Sequence, residues 1–291
     1  MSAGQSRIFQ NSRGEQFEYH TYGPECGYPV LYMHGAVPMP FSKSLAETVA
    51  KYNLYVIVIL RPGYGASSCL KQKNVYEYAR ALNELISSLG LKRFDVLGLS
   101  AGAPYCYALA AAYPGLVDTV SICSGIPLQN NAEIYRMNAR SERFMFFLSR
   151  HLPAGFIGRY GVRAMELREK KLGWRDSKHD ESMDEVFRKY VRPNWVGIGR
   201  STRLQYRDWG FAAEAVSNKI CIYHSRADEM VPFEIACKSA ELLPNSKFFE
   251  YEMEEHGSEK ILEQAIIHIG GRIQSRAIQR RWICSPCRER C

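Results

Sequence analysis

The sequence has no long hydrophobic run, and this lack excludes one large class of proteins. Its most apolar stretch, residues 54–60, is seven residues long, whereas a membrane-spanning helix needs roughly 20. The first seven residues are polar and lack the apolar segment of a secretory signal. Internal repeats, low-complexity segments and nucleic-acid-binding motifs are also missing. We therefore expect no membrane span, no nucleic-acid partner and a cytoplasmic location.

The sequence also lacks a pattern of cysteines typical of disulfides. The total of nine is odd, and some lie in apolar runs, where a free thiol packs as a small core residue in a reducing compartment. These are Cys106, Cys123 and Cys221. Near the end, Cys284, Cys287 and Cys291 have a spacing that could begin a zinc site, but a structural zinc site needs four ligands and no fourth is close in sequence. We predict exposed thiols there, and neither a metal nor a cofactor.

Positive charges outnumber negative ones, and they are distributed unevenly along the chain. The formal net charge is +8, and residues 133–208 hold 17 Lys+Arg against 10 Asp+Glu, while residues 271–291 hold 6 against 1. A basic middle segment could steer an anionic substrate, and a basic tail could contact acidic surfaces. Solvated helix faces explain the same charges, and we favour that interpretation.

The order of apolar patterns predicts an α/β fold. Short β-branched or aromatic runs alternate with segments of helical period, which indicates a mostly parallel sheet flanked by helices. The expected strands are residues 30–33, 54–60, 94–97, 117–123, 220–223 and 248–253, and the expected helices include 41–52, 75–89 and 259–269. Gly270 and Gly271 are expected to end the last helix. Around Phe17, Tyr19 and Tyr22, alternation predicts a half-exposed antiparallel strand pair.

A block in the middle interrupts this alternation. Residues 126–210 have helical patterns and dense charge, but no strand-like run, and they include Trp174, Trp195 and Trp209. We interpret 126–210 as a helical lid inserted into a core formed by residues 1–125 and 211–271. Residues 272–291 are expected to form a basic tail.

The strongest chemical signal is a GxSxG motif at residues 98–102. It follows the expected strand 94–97 and precedes a helical stretch, so the turn would lift the hydroxyl of Ser100 clear of the sheet edge. Small neighbours permit such a turn, and the following helix directs its amides at the place where negative charge would develop. An ordinary glycine-rich turn is the alternative interpretation.

A serine hydroxyl needs a base and a carboxylate to become a nucleophile. Asp228 follows the expected strand 220–223, and His256 follows the strand 248–253. Both would lie in loops at the carboxyl edge of the sheet, where ligands of open α/β sheets bind. Either residue alone could be an ordinary surface residue. Together with Ser100 they predict a Ser-His-Asp triad.

A further loop, residues 34–38, follows the strand 30–33 and begins with His34 and Gly35. Its glycine permits a close approach of the backbone, so the amide of Ala36 could act with that of Ala101 as an oxyanion hole. A plain turn that ends the strand remains the alternative.

With these motifs in view, the chain resembles the α/β-hydrolase superfamily, specifically its single-domain lidded members. The resemblance covers about residues 17–269 apart from the lid: an HGxxP-like loop at 34–38, an RPGYGxS loop at 61–67, the GxSxG turn, and then Asp228 and His256 in the family's order. It implies an eight-stranded, mostly parallel sheet, a pocket between sheet edge and lid, and no metal or organic cofactor. Leu60 replaces the aspartate that often opens the RPGYG loop, and Ala103 replaces a common glycine.

Within that superfamily, a serine at position 100 argues against haloalkane dehalogenases and soluble epoxide hydrolases, which use aspartate there. Ala36 stands where proline iminopeptidases have a second glycine. We therefore expect a carboxylesterase-like serine hydrolase acting on an ester or thioester of a small molecule. The same triad could instead serve carbon–carbon bond hydrolysis, cofactor-free perhydrolysis or acyl transfer, and a ligand-binding receptor without turnover is the alternative from another class. Oligomeric state cannot be predicted from this sequence.

Overall fold

The computed structural model describes residues 5–69, 72–172 and 183–283, with side chains described in these ranges except at 168–172, 183 and 277–283. An eight-stranded sheet lies at its centre. The strands are β1 (Gln5–Gln10), β2 (Gln16–Tyr22), β3 (Tyr28–Met33), β4 (Leu54–Ile59), β5 (Phe94–Leu99), β6 (Val117–Cys123), β7 (Lys219–Ser225) and β8 (Ser246–Tyr251). Their order across the sheet is β1-β2-β4-β3-β5-β6-β7-β8. β1 and β2 run antiparallel to their neighbours, and the other six strands are parallel.

Helices connect the strands and cover both faces of the sheet. In chain order they are α1 (Lys43–Lys51), α2 (Val75–Ala81), α3 (Asn83–Ser88), α4 (Ala103–Ala112), α5 (Ala132–Met137), α6 (Arg140–His151), α7 (Ala154–Leu172), α8 (Met183–Val186), α9 (Trp195–Tyr206), α10 (Phe233–Glu241) and α11 (Glu259–Ile283). One apolar core lies between the sheet and α2, α3, α4 and α10, and the other lies between the sheet and α1 and α11. The predicted eight-stranded α/β architecture, with its antiparallel strands at the start of the chain, is confirmed.

The burial of the strand residues explains why the sheet lies at the centre of the fold. All six residues of β4 are buried and apolar, and most residues of the neighbouring parallel strands β3, β5 and β6 are also buried. Strands that are covered by helices on both faces have this continuous apolar character. Because six strands are parallel, the loops that follow them emerge at the same edge of the sheet. These loops carry the candidate functional residues.

The five helices α5 to α9 lie between β6 and β7, within the segment expected to be a lid. Among the described residues of 126–210 none belongs to a strand, and Trp174 lies outside the described residues. Two glycines let α7 and α9 pack closely: a Cβ at Gly158 would overlap the carbonyl oxygen of Trp195, and one at Gly199 would overlap that of Ala154. A third apolar cluster joins this insert to the core through Leu60 and Tyr64.

The expectation for the end of the last helix was wrong. Gly270 and Gly271 do not end α11, which continues to Ile283. A Cβ at Gly270 would overlap the side chain of Tyr52, so this glycine serves the close packing of α11 against the end of α1. The first part of the expected tail 272–291 is therefore helical, and Arg272 forms ion pairs with Asp95 and Asp118.

No described helix has the length and apolarity that a membrane crossing requires. Within the described ranges, no group of three or more His, Cys, Asp or Glu residues could hold a metal ion. Cys284, Cys287 and Cys291 lie outside the described residues. The buried Cys106 and Cys123 are free thiols, and burial raises the pKa of each well above its ordinary value.

Candidate active site

Ser100 lies in a sharp turn between β5 and α4. Its φ of +49° is in the left-handed region, which costs a residue other than glycine roughly 1–3 kcal/mol and persists only where packing enforces it. The two glycines of the motif allow that packing. A Cβ at Gly98 would lie 2.7 Å from the Sγ of Cys106, and one at Gly102 would overlap the carbonyl oxygen of Met33. The turn therefore depends on close contacts that only these small residues permit.

Two distant loops bring an imidazole and a carboxylate to this serine. His256 Nε2 lies 2.8 Å from Ser100 Oγ, and His256 Nδ1 lies 3.0 and 2.9 Å from the two carboxylate oxygens of Asp228. The imidazole is 12% exposed and the carboxylate is fully buried. Because an ionised carboxylate only accepts hydrogen bonds, Nδ1 carries the proton and Nε2 is free to accept from the serine hydroxyl. The three groups form one continuous hydrogen-bonded chain.

The environment of Asp228 keeps it ionised. Burial alone would raise its pKa, but hydrogen bonding to His256 and the charge of that imidazole when protonated lower it, as does the Val231 amide. The net effect is a pKa below the ordinary carboxyl value. The amides of Met230 and Val231 both donate to Oδ1 at 2.9 Å. This turn therefore holds the carboxylate in the orientation that His256 requires.

A second histidine lies beneath that turn. His224 is fully buried, with Nε2 2.9 Å from the carbonyl oxygen of Val231 and 3.7 Å from Asp228 Oδ2. Burial lowers its pKa, against the opposing effects of the Val231 carbonyl and Asp228. A neutral His224 that donates from Nε2 to the Val231 carbonyl supports the backbone of the turn.

The predicted oxyanion loop is held from behind by two side chains. The carbonyl oxygen of Gly35 accepts from His34 Nδ1 at 2.7 Å and from an Arg61 guanidinium nitrogen at 2.6 Å. That carbonyl belongs to the same peptide group as the amide of Ala36, so fixing one fixes the other. Ala36 borders both cavities described below, and Ala101 borders one of them. Within the described ranges, neither amide has a protein acceptor.

The histidine in this arrangement is neutral. His34 Nε2 accepts from the backbone amide of Arg61 at 3.1 Å, so its proton must be on Nδ1, the nitrogen that donates to Gly35. Burial and the nearby charge of Arg61 lower the pKa of His34 well below its ordinary value. The lowered pKa of His34 and its two hydrogen bonds therefore both indicate a neutral ring with its proton on Nδ1.

Arg61 is a buried cation held without a carboxylate. It is 0% exposed, and among the described residues no carboxylate lies within ion-pair distance. Besides Gly35, it donates to the carbonyl oxygen of Ala101 at 3.0 Å. Its guanidinium carbon lies 5.2 Å from the ring centre of Tyr64 and 4.9 Å from that of Tyr105, where the ring faces attract a cation. One side chain thus ties together both segments that carry the candidate oxyanion donors.

Ser100 and His256 line two adjoining cavities. The first, which we name the α1-side cavity, has a volume of about 250 Å³. Its walls are mostly apolar: Tyr32, Val37, Met39, Pro40, Phe41, Leu45, Leu99 and Leu262. Ser42 and Glu259 also line it and bond to each other. This cavity suits an apolar group attached to the reacting centre.

The second, which we name the insert-side cavity, has a volume of about 310 Å³. Helices α6, α7 and α9 form much of its wall, so the inserted segment lies directly over the serine. It contains several polar side chains: Gln129, Asn138, Glu142, Thr202 and Gln205. Its described lining contains no lysine or arginine. The chemistry of the two cavities therefore differs.

The residues predicted from the sequence to form the site lie together in the structure. The structure places Ser100, His256 and Asp228 in contact, and Ala36 and Ala101 beside the cavities. Sequence reasoning missed Arg61 and Gln205. Arg61 lies in the RPGYG segment, and the residues around it in sequence do not indicate that its side chain is buried.

Comparisons with known proteins bear on the fold. No protein-family model matches the chain. An α/β-hydrolase fold protein from Chitinophaga pinensis superposes with a TM-score of 0.60 at 17% identity, covering 94% of this chain and 98% of that one. The chain has the α/β-hydrolase fold. A thermophilic esterase from Thermogutta terrifontis, solved with malate bound, is similar at a TM-score of 0.60 and 18% identity, covering 91% of this chain and 97% of that one.

A curated relative matches part of the sequence. The uncharacterised hydrolase YcgS of Bacillus subtilis (strain 168) is 28% identical over 113 residues, which is 39% of this chain and 39% of that protein. The match thus spans well under half of the relative's length. Because the α/β-hydrolase fold supports several chemistries, the reaction must be argued from the site itself.

Proposed function

We propose that the protein is a serine hydrolase that cleaves an ester or thioester of a small molecule. The observation that carries this proposal is the hydrogen-bonded chain from Ser100 through His256 to Asp228, with contacts of 2.8 and 2.9 Å. A base within hydrogen-bond reach of the nucleophile, oriented by a buried carboxylate, is the arrangement that serine catalysis needs. Its position at the junction of two cavities gives both halves of an ester a place to bind.

In the first half of the reaction, Ser100 Oγ attacks the carbonyl carbon and its proton passes to His256 Nε2. Asp228 stabilises the imidazolium that forms. The amides of Ala36 and Ala101 receive the negative charge on the carbonyl oxygen, each contributing roughly 3 kcal/mol as in comparable sites. Collapse of this intermediate expels the alcohol or thiol, which takes the proton from His256.

In the second half, water takes the place of the alcohol. His256 Nε2 accepts a proton from that water as its oxygen attacks the acyl group on Ser100, and it then returns the proton to the serine oxygen. The acid leaves and the resting hydrogen-bonded chain reforms. The inserted helices act as the lid, because side chains of α6, α7 and α9 complete the insert-side cavity over the serine and limit the access of bulk water.

The test is replacement of the nucleophile. Ser100→Ala is expected to abolish turnover of short-chain nitrophenyl esters and covalent labelling by a fluorophosphonate, with the thermal unfolding temperature little changed. Ser124→Ala is the matched control, because Ser124 also has a positive φ, of 45°, but it is buried and lines neither cavity. Fluorophosphonate bound to another residue, as located by peptide mass spectrometry, would refute the proposal. A panel of acyl chain lengths would then measure the size of the acyl site.

A further inference from the structure

Gln205 on α9 is a mostly buried residue whose side-chain amide has no hydrogen-bond partner among the described residues. The residue is 5% exposed and lines the insert-side cavity. Its backbone carbonyl accepts from Trp209 Nε1 at 2.9 Å, but its side-chain amide forms no hydrogen bond with any described residue. Polar groups in protein interiors nearly always have a hydrogen-bond partner, so an amide on a cavity wall with no protein partner is available to a ligand.

The other side-chain amides of the same cavity, and its threonine hydroxyl, already have partners within the protein. The side-chain amides of Gln129 and Asn138 bond to each other in both directions at 3.2 Å. The hydroxyl of Thr202 donates to the carbonyl oxygen of Ile198 at 3.0 Å. Gln205 therefore differs from these residues, which stabilise the wall of the cavity rather than present free donors.

Charge in the cavity limits what Gln205 can bind. Glu142 lines the insert-side cavity and Glu259 lines the α1-side cavity, and no lysine or arginine lines the described part of either. An anionic group would have to be buried beside these carboxylates with no countercharge, which is unfavourable. Arginines of the insert line a separate open groove that shares no residue with the two cavities. The arginines of that groove therefore lie outside the described lining of both cavities.

We infer that Gln205 is a specificity-determining residue that binds a neutral hydrogen-bonding group, such as an amide or hydroxyl, on one arm of the substrate. The other arm is apolar and occupies the α1-side cavity. This inference rests on the proposed function, since the two arms meet at the bond that Ser100 attacks. It narrows the substrate class to uncharged esters or thioesters with one apolar and one neutral polar arm.

The experiment compares matched esters that differ at one terminal group. On the alcohol side these are pentyl, 2-acetamidoethyl and 2-carboxyethyl butyrate, and on the acyl side methyl hexanoate, methyl 4-acetamidobutanoate and monomethyl adipate. In the wild type we expect kcat/KM to rank acetamide above alkyl above carboxylate in one of the two series. In Gln205→Leu the preference for acetamide over alkyl should fall roughly 5- to 100-fold, as when a buried hydrogen bond loses one partner.

Controls separate this inference from the proposed function. Gln264→Leu makes the same change on α11, outside both cavities, and should leave the preference unchanged. Calorimetry gives the same comparison without turnover. It measures the binding of pentyl and 2-acetamidoethyl butyrate, and of the two matching methyl esters, to Ser100→Ala and to the double variant Ser100→Ala/Gln205→Leu. A preference for acetamide that is lost with Gln205 supports the inference. An unchanged preference, or an equal loss for both esters, overturns it, while turnover retained by Ser100→Ala contradicts only the proposed function.

Discussion

Replacing Arg61 with methionine removes the cation behind both candidate oxyanion segments while keeping an unbranched side chain of similar length. In the wild type the guanidinium donates to Gly35 O at 2.6 Å and to Ala101 O at 3.0 Å. Hydrogen bonds from charged groups contribute about 1.5–3 kcal/mol each, but burying a cation without a carboxylate costs several kcal/mol. These opposing effects largely offset each other, so we expect the free energy of unfolding to change by less than about 2 kcal/mol.

Catalysis should respond more strongly than stability. A single oxyanion donor is worth about 10²–10³ in kcat, and the amide of Ala36 shares its peptide group with the Gly35 carbonyl that Arg61 holds. His34 still donates to that carbonyl at 2.7 Å, so part of the orientation survives. We therefore expect Arg61→Met to lower kcat roughly 10- to 100-fold, with KM for a nitrophenyl ester little changed because the effect falls on the transition state.

The assay combines steady-state kinetics with chemical denaturation. Arg61→Lys, which keeps the charge but offers a single donor centre, should have an intermediate kcat. Arg200→Met is the control, because Arg200 is partly buried and, like Arg61, donates to a backbone carbonyl, that of Cys69, but it lines neither cavity. If Arg61→Met has the kcat of the wild type, or if its kcat falls only in proportion to the fraction of protein that is unfolded, then Arg61 does not position the oxyanion donors.

Two other predictions concern carboxylates in different parts of the fold. Asp228→Asn should lower kcat by roughly 10⁴ in ester hydrolysis, because the amide no longer favours the tautomer of His256 with its proton on Nδ1; a loss under tenfold would contradict this role. Burial, opposed by Arg272, raises the pKa of Asp95 to about 6, so the folded chain holds a proton there that the unfolded chain releases between about pH 4 and 6. The free energy of unfolding of the wild type, measured by urea denaturation, should therefore fall relative to that of Asp95→Asn as the pH rises through that window. A difference between the two proteins that does not change with pH would contradict the raised pKa of Asp95.

Much of the site could be predicted from the sequence because its information is local. The strand that precedes Ser100, and the strands that precede Asp228 and His256, are apolar runs with clear ends. Parallel strands bring their carboxyl ends to one edge, so residues just after them meet even when 156 positions separate them along the chain, as they do for Ser100 and His256. The positions of the strands and the identities of Ser100, Asp228 and His256 are sufficient to predict that these three side chains lie close together.

Other features depend on packing between distant elements and could not be predicted in this way. Gly270 has the local signature of a helix end, but its role is the contact with Tyr52. Gln205 looks like any polar residue of an amphipathic helix until the insert folds over the serine and buries it. In each case the local sequence is compatible with two environments, and only tertiary contacts decide between them.

The position before Arg61 connects a departure in sequence with the structure of the site. Many members of the superfamily that the chain resembles have an aspartate there, whereas this chain has Leu60. Leu60 belongs to an apolar cluster that also contains Tyr64 and residues of the insert, including Val162 and Ile198. An apolar residue at this point attaches the insert to the core. It also leaves the adjacent guanidinium to be stabilised by two carbonyls and two aromatic rings, so the full positive charge acts on the peptide groups that present the candidate oxyanion donors. A carboxylate introduced by Leu60→Asp would weaken both the attachment of the insert and this polarisation.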